Sequence, residues 1–103
     1  MHYLLFYTFV SDMAERRIPY RKAHLIHLEA AIARGELVLA GALAEPLDGA
    51  VLLFQGSSPA AAEAVAKTDP YVLGGLVTEW RVRSWSTVVG RDAATPMSSA
   101  NLP

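Results

Sequence analysis

Apolar positions change their period several times along the chain, and each change marks an element. From His2 to Val10 the residues are aromatic, aliphatic or β-branched, a strand pattern. Tyr3, Leu5, Tyr7 and Phe9 fall on one face of that strand, and Leu4, Phe6 and Val10 on the other. A strand covered on one side alternates with polar residues, so this one is predicted to be buried on both. Ser11-Asp12 is a helix-capping pair. Pro19 interrupts a helix begun at Met13, or opens a fresh one. From Tyr20 to Arg34, Leu25, Leu28 and Ile32 recur at helical spacing, and Gly35 supplies the stop.

Leu37 to Leu43 reads as a second strand. It contains Gly41, and a glycine inside a strand often marks a bulge or the close approach of another group. Glu45-Pro46-Leu47-Asp48-Gly49 is a turn by composition, and Ala50 to Gln55 a third strand that forms a hairpin with the second. Ser58 and Pro59 announce an alanine-rich helix through Lys67, closed by Thr68-Asp69-Pro70-Tyr71. Leu76 to Val89 is a fourth strand, with Trp80 and Val82 on one face and Arg81, Arg83 and Trp85 on the other. The order strand-helix-strand-strand-helix-strand predicts an α+β, ferredoxin-like βαββαβ domain over residues 1–89. Its four-stranded antiparallel sheet would carry both helices on one face. Residues 90–103 are small and polar with two prolines, and read as a flexible tail.

Composition adds an expectation about assembly. Of the 103 residues, 52% are apolar and 18% charged, rich in apolar surface for a small chain. Helices on one sheet face leave the other bare, and a homodimer packed sheet to sheet would cover it. The net charge of -1 offers no field for nucleic acid. The apolar start is too short to cross a bilayer and lacks a basic leader, and the chain has no cysteine. The expectation is a soluble cytoplasmic protein with neither a nucleic-acid nor a membrane partner.

Candidate chemistry centres on Tyr20 to His27, which carries two of the chain's 3 histidines. Tyr20, His24, His27 and Ala31 share a helix flank beside the leucine stripe, so His24 borders the core. Composition alone favours a structural histidine there. A histidine can also move a proton in either direction near neutrality. Asp69 is a candidate carboxylate partner. Its plain role is a turn residue before proline, but an acid at a helix C-terminus is disfavoured by the dipole and calls for a partner, His24 or Arg21. Arg21, three residues before His24, would bind a substrate carboxylate, pair with Asp69, or stay solvated. Tyr7 and Tyr71 would line a pocket or pack in the core. His24 and His27 have a spacing that can ligate, and Asp69 could join them. With no H-E-x-x-H and no cysteine, however, no metal is expected. G-x-S-x-G, G-x-G-x-x-G and phosphate-loop patterns are missing, so neither a covalent nucleophile nor a nucleotide is expected.

Several short motifs, in order, resemble one family. Arg21-Lys22-Ala23-His24-Leu25 resembles the R-x-x-H-L helix motif of the YCII-related domain. Leu39-Ala40-Gly41 resembles its second strand, and Asp48-Gly49 its entry to the third. Ser57-Ser58, the alanine-rich helix and Asp69-Pro70-Tyr71 resemble its S-x-x-A…D-P-Y segment, and Trp80 to Val88 its closing strand. Where family members often have a proline after the strand glycine, this chain has Ala42, in the pocket wall. The resemblance implies a dimeric α/β-barrel type of ferredoxin-like fold and a His–Asp active-site pair, here His24 and Asp69. It further implies a small cofactor-free enzyme. His24 would act as general base or acid, oriented by Asp69, on a small organic substrate in lyase or isomerase chemistry. Arg21, Tyr7, Gly41 and Tyr71 would contact that substrate. The alternative is a non-catalytic module that binds a small ligand or assists a partner enzyme.

Overall fold

In the computed structural model, which describes all 103 residues, the first and last strand patterns of the chain pair side by side in one sheet. The strands are β1 (His2–Phe9), β2 (Leu37–Ala42), β3 (Gly49–Gln55) and β4 (Val77–Trp85), in spatial order β2-β3-β1-β4. Every neighbouring pair is antiparallel. The helices are α1 (Met13–Arg16), α2 (Arg21–Ala33), α3 (Ala60–Thr68) and α4 (Pro70–Leu73). This is the ferredoxin-like α+β arrangement, with β1 paired along its length to β3 and β4.

The core lies between the helices and one face of the sheet. Tyr3, Leu5, Tyr7 and Phe9 of β1 point into it, with Ala50, Leu52 and Phe54 of β3 beside them. Ala31, Ala62 and Ala66 are fully buried, and their small side chains let α2 and α3 lie close to the strands. Leu5, Leu52, Val65 and Leu76 are sealed off completely, each contributing about 1.5–3 kcal/mol by leaving water. Pairing of Tyr7 with Trp80 and of Leu5 with Val82 places that half of β4 on the helix side. Arg81 lies on the opposite face, its guanidinium 4.9 Å from the centre of the Phe6 ring.

Four local expectations are corrected. First, β1 is buried on one face only within the chain. Leu4 and Phe6 stay half-buried because no helix covers their side. Second, the buried row of α2 contains Leu28 and Ala31, with His24 one turn before Leu28. Leu25 and Ile32, expected beside Leu28, are 48% and 53% exposed. The helix turns its small alanine inward, since a close approach to the sheet excludes larger side chains. Third, the irregular register in β2 falls between Leu37 and Leu39, and nothing approaches Gly41, which faces open space. The close approach is at Gly49, where a Cβ would stand 2.5 Å from the Tyr7 carbonyl oxygen. Fourth, Asp12 stands at the start of α1 without capping it, and its carboxylate faces Arg16 at 3.8 Å.

Pro19 sits in a single 3₁₀ turn, Ile18–Tyr20, that carries the chain from α1 into α2 without leaving helical backbone. Beyond β4 the chain doubles back. The Ala94 backbone N–H donates to the Thr87 hydroxyl, and the Thr95 and Met97 N–H groups donate to the carbonyls of Thr87 and Val88. The Thr87 hydroxyl also meets His2 Nδ1 at 2.6 Å.

Candidate functional site

Asp69 is the fixed point of the site. It follows α3 directly, in an extended conformation, and begins α4. Its side chain caps that short helix by accepting from the Tyr71 backbone N–H at 2.9 Å. The expected dipole conflict at the end of α3 is thereby corrected. The carboxylate lies at the favourable N-terminal end of the next turn, set up by Pro70 at its first position.

Two side chains complete its coordination. His24 on α2 places Nδ1 2.8 Å from Asp69 Oδ1, and the Tyr7 hydroxyl on β1 donates to Oδ2 at 2.7 Å. Asp69 is 0% exposed, so every polar contact of its carboxylate is within the chain. An ionised carboxylate only accepts, and this assigns the proton shared with His24 to Nδ1. In the neutral form of the ring, Nε2 is then the nitrogen without a proton. It has no partner in the chain and is not sealed off, since no buried side-chain nitrogen or oxygen lacks a partner.

Burial pushes the Tyr7 phenol far above its ordinary range, and the charge and hydrogen bond of Asp69 push it further the same way. Tyr7 is therefore a permanent donor behind the carboxylate. Its hydroxyl is committed to Asp69, and Tyr7 does not line the cleft in front of His24.

That cleft has a volume of about 180 Å³. His24 and Tyr71 form one wall, stacked face to face with ring centres 3.7 Å apart and planes 4° apart. Phe9 meets Tyr71 edge-on at 6.2 Å and, with Leu28 and Leu52, gives the cleft an apolar floor. Gly41 and the solvent-exposed Arg21 line the same cleft as His24. Larger hollows exist, of about 470 Å³ beside His2 and about 550 Å³ over the open sheet face. Neither brings a carboxylate within hydrogen-bond reach of a histidine.

One feature escaped sequence reasoning. Arg17 lines the cleft with Arg21. The signal is their spacing of four, which becomes one turn only if the Pro19 segment stays coiled, as it does. Tyr71, named from the sequence as a pocket residue, lines the same cleft. Burial raises its pKa, while the positive charges of Arg17 and Arg21 lower it and Asp69 raises it again. Both guanidinium groups therefore act on the hydroxyl that borders His24. His27, one turn along, faces away, its Nε2 3.1 Å from the Val65 carbonyl and 3.2 Å from the Thr68 hydroxyl.

The family model of the YCII-related domain matches residues 1–86. No curated protein matches the sequence. One similar solved structure is 5-chloro-2-hydroxyhydroquinone dehydrochlorinase from Burkholderia phenoliruptrix AC1100, in complex with 2,5-dihydroxybenzoquinone. It is 20% identical, with a TM-score of 0.70 over 84% of this chain and 95% of that one. Another is a candidate antibiotic biosynthesis monooxygenase from Nitrosomonas europaea, 14% identical, with a TM-score of 0.53 over 82% of this chain and 98% of that one. At these identities the likeness is one of fold.

Proposed function

The chain belongs to the YCII-related domain family, and from that premise we propose that it is a cofactor-free enzyme whose His24–Asp69 pair moves a proton on a small organic substrate. One observation carries the reading. The carboxylate is fixed by three donors at 2.7–2.9 Å, and it holds one nitrogen of an imidazole whose other nitrogen is unpartnered beside a cleft. A neutral imidazole with Nδ1 protonated presents Nε2 as a base, and after accepting a proton it can return it to a leaving group or to another carbon. Elimination and isomerisation both reduce to that exchange. The Tyr71 hydroxyl stands beside the ring as a donor to an oxygen that gains charge during the step.

The fold is compatible with this class, since a dehydrochlorinase shares it. The bare sheet face, with Leu4, Leu39, Val51, Leu53 and Trp85 around one apolar hollow, supports a homodimer.

The test is turnover by His24→Ala and by the parent. The first trial substrate is the chlorinated hydroxyhydroquinone named for the structural relative, followed by small cyclic carbonyl compounds. Turnover should vanish in the variant while circular dichroism shows an intact fold. An unfolded variant, or one that matches the parent's rate, would remove His24 from catalysis. A ligand that binds the parent and is never converted would favour the binding module.

A further inference from the structure

The segment from Asp12 to Lys22 carries two acids, Asp12 and Glu15, beside its three arginines. Asp12 faces Arg16 at 3.8 Å. Arg17 and Arg21 have no carboxylate within salt-bridge distance, although both line the cleft of His24. The nearby Asp69 is sealed behind the histidine and faces His24, Tyr7 and the Tyr71 backbone.

This placement is unfavourable by itself. Like charges one helical turn apart repel. The first turn of α2 also holds Arg21 and Lys22 and no acid, the reverse of what a helix dipole prefers at its N-terminus. Three sources of positive potential therefore converge on one rim: two guanidinium groups and a helix N-terminus. The floor below them is apolar and the wall is a flat stack of two rings.

We infer that Arg17 and Arg21 form a two-guanidinium seat that selects a small, flat substrate carrying an anionic oxygen, a carboxylate or an ionised ring hydroxyl. The inference rests on the reading of this cleft as the working site, and it names the substrate class. A planar anion of that kind lies flat against the apolar floor with its charged oxygen at the rim. Guanidinium suits it because its fork of N–H donors matches carboxylate and oxyanion geometry. Arg17 is then a specificity-determining residue, with Arg21 as its partner.

Binding, read without turnover, tests the seat. Benzoate, para-nitrophenolate and neutral benzamide are titrated into the full-length protein, and the ring signals of His24 and Tyr71 are followed by NMR. Both anions should shift those signals, and benzamide should bind at least about tenfold more weakly. Arg17→Gln and Arg21→Gln should each weaken the anions by about tenfold and leave benzamide unchanged. Added salt should weaken the anions alone in the parent, a result that needs no variant to fold. The tighter anion identifies which oxygen the seat prefers. His24→Asn should still bind the anions, so loss of the catalytic reading and loss of the seat are separate outcomes. Benzamide binding as tightly as benzoate, arginine variants that bind like the parent, or no anion binding at millimolar concentration would each overturn the seat.

Discussion

Replacing Tyr7 by phenylalanine removes one oxygen atom and no carbon, so it opens no cavity of consequence. What it takes from the molecule is the donor to Asp69 Oδ2, a bond of 2.7 Å inside a site where the aspartate is 0% exposed. A hydrogen bond to a buried charge is worth roughly 1.5–3 kcal/mol, and water cannot enter to replace it. Tyr7→Phe should therefore cost about 2 kcal/mol near neutral pH, and lower the melting temperature by on the order of 10 °C.

The cost should also shrink with pH in a defined direction. In the unfolded chain the phenol ionises near its ordinary value of 10.0, whereas in the fold burial and Asp69 keep it protonated well above that. A raised pKa gives stability that is complete below the unfolded value and lost as pH climbs from there toward the folded value, by about 1.4 kcal/mol per unit. The phenylalanine variant lacks this loss. Ionisations common to both proteins cancel from the difference. A gap of about 2 kcal/mol should thus nearly close by about pH 11.5. Urea unfolding at equal protein concentration, at neutral pH and at several values above 10, measures it. A gap that is constant with pH, or a variant as stable as the parent at neutrality, would refute the account of Tyr7 as a buried donor to a charge.

Two further outcomes follow from the packing. In Gly49→Ala the new carbon would stand 2.5 Å from the backbone oxygen of Tyr7, which cannot swing aside, so the hairpin and β1 must separate. A loss of about 1–3 kcal/mol in urea unfolding is expected, and an unchanged midpoint would show that the strands have slack. In Leu39→Glu a charge enters the bare sheet face at a position 70% exposed within the single chain. Sedimentation should give two chains per particle for the parent and one for the variant; a monomeric parent would remove the homodimer.

The order of elements is legible in the sequence because turn residues separate apolar runs whose lengths suit strands and helices. Which side of each element faces the core is less so. In β1 both faces are apolar, so alternation cannot choose between them, and only the placement of the helices shows which is covered. In α2 the leucine stripe is conspicuous, but the deciding residue is Ala31, whose small size permits contact and whose hydrophobicity attracts no notice. The four residues of α4 are too few to show a period, which is why Asp69 reads as the end of one helix and not the cap of another. The destination of the Tyr7 hydroxyl depends on which strand lies under α4, a long-range fact no local pattern encodes. Arg17 is concealed by Pro19, a residue that normally breaks a helix and here only tightens one turn.

The three histidines allow an internal comparison of what makes such a residue a candidate for chemistry. His2 is held by the Thr87 hydroxyl and His27 by a backbone carbonyl and a threonine, partners that carry no charge. His24 alone is bonded to a carboxylate. That bond by itself does not distinguish function from packing, because Asp69 is needed in any case to cap α4 and to receive the Tyr7 hydroxyl. The unpartnered groups around His24 are what support the catalytic proposal. His24 shares one cleft with an unpartnered phenol and two arginines that face no acid. On the proposed reading one ligand would engage them together: a flat anion that offers its charge to the arginines, an oxygen to Tyr71 and a proton to Nε2.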